Sequence, residues 1–302
     1  MRVLACVLFA VAACSSSAVA ARHAACPGGT GTVDYVRGTT IHAVSLAACA
    51  DRALGKAPAT SVPPGVRTSN ARAKTQRIWV DGKLVFSEVE NGPVDPIKLS
   101  TDGKWLFFAI DSYGSSSIAA DGLDLLVVST SGGAVHHLGL TLVHPDYLTW
   151  CGGRLVYAQG GDRIAIHGKR LVVASPPDWQ PKPLWSDPSK TFASPACSPD
   201  NTSVAVLVQH TSVDARFFAT RWQLWLVGLD GVRSLLDAPP AGWADEEPTW
   251  SSNDGSIAFV RERNGYGRLM VYSHGKLAGP FAALGYQLGF YGHHDWGLAW
   301  AT

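Results

Sequence analysis

Short apolar runs, separated by turns that contain glycine or aspartate, make up most of this chain. The stretch from Pro248 to Val260 shows the pattern most clearly. It reads as a strand that ends in Trp250, a polar turn fixed by Asp254 and Gly255, and a second strand of mainly apolar residues. No run of useful length has the period of about 3.6 residues that an amphipathic helix needs. The pattern therefore predicts an all-β protein.

Three further segments align with this stretch, which indicates an internal repeat. They are 97–108, 148–157 and 195–206. The equivalent turn residues are Gly103, Gly153, Asn201 and Gly255, so successive copies lie 50, 48 and 54 residues apart. A spacing of about 50 residues is what one four-stranded blade of a β-propeller uses. We therefore expect a β-propeller with four-stranded blades.

The remainder of each period and the two ends of the chain fit the same architecture. Two apolar runs with a glycine-containing turn between them fill the second half of the periods at 123–138, 222–236 and 268–281. Segment 295–301 resembles the inner half of a blade, and 40–54 supplies an outer half. We expect the two ends to share one blade, which closes the ring and removes open sheet edges.

The number of blades is less clear from the sequence than their construction. The hairpin 77–86 resembles 150–157, but too few residues lie between it and residue 97 to complete a blade. Five blades are clear and a sixth is partial, so we expect six blades, with five as the alternative. The proline-containing segment of about residues 55–75 is expected to be an exposed loop.

Composition excludes some classes of partner. The chain has 302 residues, of which 46% are hydrophobic and 16% charged, so it can bury a large core. Its formal net charge of +1 gives no overall field that would attract nucleic acid or an anionic membrane surface. We expect no nucleic-acid partner.

Residues 1–21 have the composition of an export signal, which leaves 22–302 as a single propeller domain. Arg2 precedes an apolar run, 3–13, that is too short to cross a bilayer. Cleavage after the small residues 18–20 would release a secreted protein. Alternatively, 11–14 resembles the lipobox of bacterial lipoproteins, in which case Cys14 would carry a lipid and provide the sole membrane contact. We expect an exported protein, either anchored in the cell envelope or secreted.

Four cysteines remain after the leader: Cys26, Cys49, Cys151 and Cys197. An even number of cysteines in an exported chain favours disulfides, and four cysteines allow three pairings. We expect Cys26 to pair with Cys49 and Cys151 with Cys197, because the members of each pair lie in comparable local structure. The chain has no Cys-x-x-Cys motif that would indicate zinc.

The repeats resemble those of the TolB family, whose blades carry a pattern close to P-x-W-S-P-D-G-x-x-I-A-F. Segment 248–259 matches it with Asn253 inserted, and 195–200 matches it with Cys197 in place of tryptophan. Segment 100–103 is a weaker copy. The resemblance covers the chain from about residue 32 onward and implies an exported six-bladed propeller. TolB also has an amino-terminal domain for which we find no counterpart here, so the resemblance implies only the propeller part.

Histidine and acidic residues stand just before the predicted inner strands, where propeller residues surround the mouth of the central channel. The candidate binding residues are Asp245, Glu246, Glu247, His293, His294, Asp295, Asp146 and Trp243. Together the imidazoles and carboxylates could hold a divalent metal or act as general acid and base. They could equally be polar residues that wet the channel rim. Trp243 lies in a proline-rich connection and could form a binding rim or pack beneath its loop.

These observations lead to one principal functional hypothesis and two alternatives. The principal hypothesis is a monomeric, non-enzymatic propeller outside the cytoplasm that binds an envelope protein or peptide and needs no cofactor. The first alternative is a hydrolase or lyase that uses a metal at the channel mouth. The second is a carbohydrate-binding propeller.

Overall fold

The computed structural model describes residues 26–57, 62–89, 92–111, 122–211, 221–252, 255–288 and 294–301. The regular structure in these ranges consists of strands β1 to β23 and a 3-10 helix, Pro145–Tyr147. The predicted all-β fold is therefore confirmed. No helix in this part of the chain is long and apolar enough to cross a membrane.

Fourteen strands lie between residues 32 and 185 of the described chain. They are β1 (Thr32–Arg37), β2 (Thr40–Ser45), β3 (Ala50–Lys56), β4 (Val66–Thr68), β5 (Gln76–Val80), β6 (Lys83–Glu88), β7 (Val94–Leu99), β8 (Trp105–Ile110), β9 (Gly122–Ser129), β10 (His136–Leu142), β11 (Leu148–Cys151), β12 (Arg154–Gln159), β13 (Arg170–Ala174) and β14 (Lys182–Trp185).

Nine further strands follow in the described chain. They are β15 (Lys190–Cys197), β16 (Ser203–His210), β17 (Gln223–Gly228), β18 (Arg233–Asp237), β19 (Ala244–Trp250), β20 (Ile257–Arg263), β21 (Tyr266–Ser273), β22 (Lys276–Tyr286) and β23 (Ala299–Trp300). Each of the four repeated segments of the sequence forms a hairpin, namely β7–β8, β11–β12, β15–β16 and β19–β20.

These strands form antiparallel sheets in which chain neighbours pair. The orders are β23-β1-β2-β3, β4-β5-β6, β15-β16-β17-β18 and β19-β20-β21-β22, together with an eight-stranded sheet built from β7 to β14. In the eight-stranded sheet a single residue pair, Thr141 with Gln159, joins the meander β7 to β10 to the meander β11 to β14. The inner strands of successive units lie side by side, since β4 contacts β7, β11 contacts β15, β15 contacts β19, and β19 contacts β23.

The two ends of the chain lie in one sheet. Val33 pairs with Trp300 and Asp34 pairs with Ala299, which places β23 along the edge of β1. Strand β2 and most of β3 fall within the segment 40–54 that was expected to complete this sheet. An edge of β1 that would otherwise be open is therefore covered.

The segment 55–75, which was expected to be an exposed loop, includes one short strand, β4. This strand pairs with the hairpin β5–β6 and buries Val66 against Ile78 and its neighbours. This short strand directly follows Pro63, Pro64 and Gly65, and its three residues give no periodic signal in the sequence. The hairpin 77–86, which the sequence did not assign to a complete blade, thus belongs to a three-stranded sheet.

Tryptophans of the repeat motif connect neighbouring inner strands. The indole Nε1 of Trp250 donates a hydrogen bond to the carbonyl oxygen of Ala196 at 3.0 Å, and that of Trp300 donates to Thr249 at 3.0 Å. In each case the acceptor lies on the inner strand of the preceding unit. The motif tryptophan therefore fixes how one sheet packs on the next.

Cys197 stands where the motif has tryptophan, and it makes the equivalent connection covalently. It is bonded to Cys151 at the end of β11, with the two Cα atoms 5.3 Å apart. Cys26 and Cys49 form the other disulfide, with a Cα separation of 5.7 Å. Both predicted pairings are confirmed, and they are consistent with an exported protein.

We expect Trp250→Phe to lower the free energy of unfolding by about 1 kcal/mol, because it removes one hydrogen bond between neighbouring units. Denaturant unfolding measures the change. Trp225→Phe is the matched control, since the indole nitrogen of Trp225 donates within its own strand, to Gln223 at 3.4 Å. Equal losses in the two variants would contradict a special role for the motif tryptophan.

Replacing both Cys151 and Cys197 by alanine should cost about 2 to 4 kcal/mol of stability, because the disulfide closes a long loop in the unfolded chain. The paired cysteines are 46 residues apart, against 23 for Cys26 and Cys49. Removing the shorter link should cost about 0.6 kcal/mol less by loop entropy alone. Urea unfolding of the two double variants tests this, and an unchanged midpoint without the longer link would refute it.

Candidate functional site

A cavity of about 350 Å³ lies where the inner strands β7, β11, β15 and β19 approach one another. Its lining combines polar side chains with two indole rings: Lys98, Asp146, Thr149, Ser194, Glu247, Trp150 and Trp250. Gly297 and Leu298, just before β23, complete one wall. Convergent polar groups in a concave, partly aromatic space are the usual mark of a binding site.

A second groove, of about 520 Å³, lies among the turns β11–β12, β15–β16 and β17–β18. Of its lining residues, Arg154 and Asp230 carry charge. Nothing in it combines burial with several ionisable groups. We therefore regard the cavity among the inner strands as the candidate site.

A bulge in β19 turns Glu247 towards the cavity. The pairing of β19 with β20 is interrupted between Glu246 and Thr249, and Glu247 has a positive φ of 48°. β15 has the same interruption, where Ser194 has a φ of 47°. A proline follows each of these residues. Such conformations are uncommon outside glycine, and bulges of this kind redirect side chains next to binding sites.

Glu247 anchors the segment that leads into β23. Its carboxylate accepts hydrogen bonds from the backbone N–H of Trp296 and, at 3.1 Å, from that of Leu298. Burial, together with the nearby charges of Asp295 and Asp146, raises the pKa of Glu247 well above its ordinary value, although the two backbone N–H groups oppose the rise. The cavity wall thus contains a carboxyl group that either holds a proton or favours a cation beside it.

A cluster of His144, Asp146 and Asp295 lies at the mouth of the cavity. The Nε2 atom of His144 is 3.3 Å from a carboxylate oxygen of Asp295, and its Nδ1 atom is 3.5 Å from one of Asp146. Burial lowers the pKa of His144, but the two carboxylates outweigh burial and raise it above its ordinary value. Half of the Asp295 side chain is exposed, so solvent reaches this cluster.

Lys98 is the cation of the cavity, and it is held by backbone oxygens. Its Nζ atom donates to the carbonyl oxygens of Pro145 at 3.2 Å and Leu148 at 2.9 Å. Burial lowers the pKa of Lys98, although the charge of Asp146 opposes this. Lys98 thereby ties β7 to the start of β11 and positions the turn that carries His144 and Asp146.

A second group of ionisable residues lies in the interior. Glu246, Glu262 and His294 are 0%, 3% and 2% exposed, and the Nδ1 atom of His294 is 3.3 Å from a Glu246 oxygen. Burial lowers the pKa of His294, but its hydrogen bond to Glu246 and the charges of both glutamates raise it overall. The imidazole also stacks on the ring of Trp296, with centroids 5.4 Å apart.

Asp245 lies apart from both groups, although it neighbours them in sequence. It is completely buried and pairs with Arg261 at 2.9 Å, and Arg261 also contacts Asp237. Burial raises the pKa of Asp245 to about 8, while Arg261 opposes the rise. This arrangement links β19, β20 and β18 and serves the interior of the fold.

The structure thus divides the candidate residues among four places. Asp146, Glu247 and Asp295 lie at the cavity, Glu246 and His294 lie in the interior, and Asp245 lies in an ion-pair network. Trp243 packs against Arg263 and Arg268, whose guanidinium carbons lie 5.7 and 4.7 Å from its ring. His293 and Cys14 lie outside the described residues.

Sequence reasoning missed three important residues: Lys98, His144 and Glu262. His144 immediately precedes Pro145 and Asp146, so extending the search by two residues would have found it. Lys98 and Glu262 lie inside strand segments, where an isolated charged residue reads as a solvent-facing position. Nothing in the local pattern shows that they face inward.

Comparisons with known proteins support the fold. No family model matches the chain, and no curated protein matches it. Among solved structures, one from Agrobacterium tumefaciens described as a candidate TolB is 12% identical, with a TM-score of 0.50 over 90% of this chain and 99% of that one. This likeness supports a TolB-like propeller fold and extends no further.

Enzymes also occur among the similar structures. A puromycin hydrolase is 13% identical over 85% of this chain, with a TM-score of 0.45. An oligogalacturonate lyase in complex with manganese is 10% identical over 82% of this chain, also with a TM-score of 0.45. The chain spans 42% and 61% of those two proteins.

We expect the free energy of unfolding to fall as pH rises from about 5 to 8. The pKa values of Asp245, Glu247 and His294 are raised in the folded state, so the folded protein retains protons that the unfolded chain releases. Their stabilising effect is complete below the unfolded pKa values and is lost as pH passes through the folded ones, at up to about 1.4 kcal/mol per pH unit for each retained proton.

Denaturant unfolding at several pH values tests this expectation. Glu247→Gln should make the free energy of unfolding fall less steeply with pH, because glutamine cannot titrate. This expectation holds whatever the substitution does to stability at any one pH. Glu88→Gln, at an exposed position on β6, is the control and should leave the slope unchanged. A stability that rises over this pH range would contradict the assignment.

Proposed function

We propose that this protein is an exported, six-bladed β-propeller that binds a basic segment of a protein or peptide in its central cavity without catalysing a reaction. The six blades would be the sheet of β23 with β1 to β3, the three-stranded sheet, the two halves of the eight-stranded sheet and the two remaining four-stranded sheets. Pairing of β23 with β1 supports ring closure. The disulfides and the leader support export, with Cys14 lipidated or the leader cleaved after Ala20.

The observation that carries the binding proposal is the convergence of three carboxylates on one cavity. Asp146 and Glu247 line it, and Asp295 stands within reach of Asp146 through His144. The ammonium group of Lys98 donates hydrogen bonds to two backbone oxygens, although its charge also interacts with Asp146. A lysine or arginine side chain, or a peptide amino terminus, would complement this mouth.

The remaining lining suits a peptide. Trp150 and Trp250 offer apolar faces, and Thr149 and Ser194 offer hydroxyl groups. The Oγ atom of Ser194 is buried and has no hydrogen-bond partner within the described residues, so a ligand could supply one. A volume of about 350 Å³ holds one or two side chains, which favours a chain end or a single anchor residue over a folded partner.

The hydrogen bonds of the cavity favour binding over catalysis. Glu247 and Lys98 are fixed by backbone groups, which suits a rigid recognition surface. A general acid or base works by exchanging a proton with a reacting group instead.

A metal-dependent hydrolase or lyase is the second candidate function. One donor atom each from His144, Asp146 and Asp295 lies within 4.8 Å of the other two. An imidazole and two carboxylates with access to solvent could hold a catalytic divalent ion with open positions. Turnover by the mature protein that depends on an added divalent ion and is lost in His144→Gln would favour this candidate.

We expect the mature protein to bind a short peptide with an amino-terminal lysine and to reject the same peptide with glutamate in its place. Asp146→Asn should weaken binding about tenfold or more, because a charge-assisted contact contributes about 1.5 to 3 kcal/mol. Isothermal titration calorimetry at low salt measures both effects. Asp230→Asn, which alters the second groove, is the matched control and should bind normally.

Equal affinity for the two peptides would refute recognition of a basic segment. If Asp146→Asn binds the lysine peptide with normal affinity, the peptide does not bind in the cavity. Repeating the titration with a chelator present keeps this test independent of any bound metal.

A further inference from the structure

Glu246, Glu262 and His294 come together from three separate parts of the chain. Glu246 lies on β19, Glu262 lies on the neighbouring strand β20, and His294 lies on the segment that leads to β23. One oxygen or nitrogen from each residue lies within 4.8 Å of the other two. All three side chains are at least 97% buried, which separates this group from the partly exposed cluster at the cavity mouth.

The surroundings hold two of these side chains in place. A carboxylate oxygen of Glu262 accepts the backbone N–H of Gly265 at 2.9 Å. The His294 ring is stacked on Trp296, and the backbone of Trp296 is in turn held by Glu247. A preorganised set of donors costs little to order when an ion binds.

The carboxylate of Glu246 is only partly satisfied. Its Oε1 atom lies 3.3 Å from the Nδ1 atom of His294. The Oε2 atom of Glu246 is buried and makes no hydrogen bond within the described part of the chain. A buried carboxylate oxygen without a partner is unfavourable, so its presence points to a positively charged ligand.

We propose that Glu246, Glu262 and His294 bind a divalent transition-metal ion, with zinc or manganese as the best match. One imidazole nitrogen and carboxylate oxygens are donors that both ions accept. Calcium normally takes six to eight oxygen ligands, so it fits this set poorly. Small rotations of the carboxylates would bring the donors to metal-ligand distances of about 2.0 to 2.2 Å.

Such an ion would act as a structural link. It would join the hairpin β19–β20 to the segment that leads to β23, beside the backbone contacts of Glu247. Binding to the folded chain alone would raise the melting temperature in proportion to the logarithm of the free ion concentration. This site does not depend on the proposed peptide-binding function.

The test starts from purified mature protein that has been treated with a chelator and dialysed. Zinc, manganese or calcium is added, and the bound ion is counted by native mass spectrometry while the melting temperature is recorded. We expect one zinc or manganese ion per chain, a higher melting temperature with either ion, and no comparable response to calcium. Glu246→Gln should lower the affinity at least tenfold, and His144→Gln, at the cavity mouth, should leave it unchanged.

Two outcomes would overturn the proposal: no stoichiometric ion in the wild-type protein, or loss of the ion in His144→Gln with retention in Glu246→Gln. Circular dichroism shows whether each variant folds. If Glu246→Gln does not fold, the wild-type protein and His144→Gln still show which group of residues binds the ion. Equal ion binding by these two supports the interior site, and loss in His144→Gln refutes it.

Discussion

Three consecutive carboxylates of β19 are buried, and each is held by a different partner. Asp245 pairs with Arg261, Glu246 meets His294, and Glu247 accepts two backbone N–H groups. Buried carboxylates are costly unless they are paired. The groups that pair with these three must therefore lie at fixed positions beside β19. The most consequential partner is the segment 294–298, because it leads into β23 and places that strand beside β1.

The same constraint builds the candidate site. The bulge that turns Glu247 inward also brings Gly297 and Leu298 to the cavity wall, and Asp295 then meets His144 and Asp146 across the mouth. Covering the edge of the first sheet and assembling the cavity are therefore consequences of one set of contacts. Changes on β19 should affect stability and ligand binding together, which is why the control substitutions lie outside this strand.

Much of the fold could be predicted because its signal repeats. The motif tryptophans, the turns and the spacing near 50 residues identify the hairpins, and the comparable local structure around each pair of cysteines led to both disulfides. Strand β4 could not be predicted, since three residues just after two prolines and a glycine carry no period. Sequence patterns reveal an element through the regular spacing of its apolar residues, and a strand of three residues is too short to show such spacing.

Only the approximate location of the site could be predicted from the sequence. The sequence places Asp245, Glu246 and Glu247 near one another, but a bulge decides which of them faces the cavity, and bulges leave no clear trace in hydrophobic alternation. Partners such as Lys98 and Glu262 come from strands far away in sequence. Their inward orientation depends on how sheets pack, which local spacing does not encode.

Hydrogen-deuterium exchange of the segment 294–301 is the most direct test of the account. If the carboxylates of β19 anchor this segment, the amides of Trp296 and Leu298 should exchange slowly in the wild-type protein, and their protection should fall sharply in Glu247→Gln while that of β16 stays unchanged. Rapid exchange of both amides in the wild-type protein, at the rate of an unstructured chain, would contradict the central role of β19.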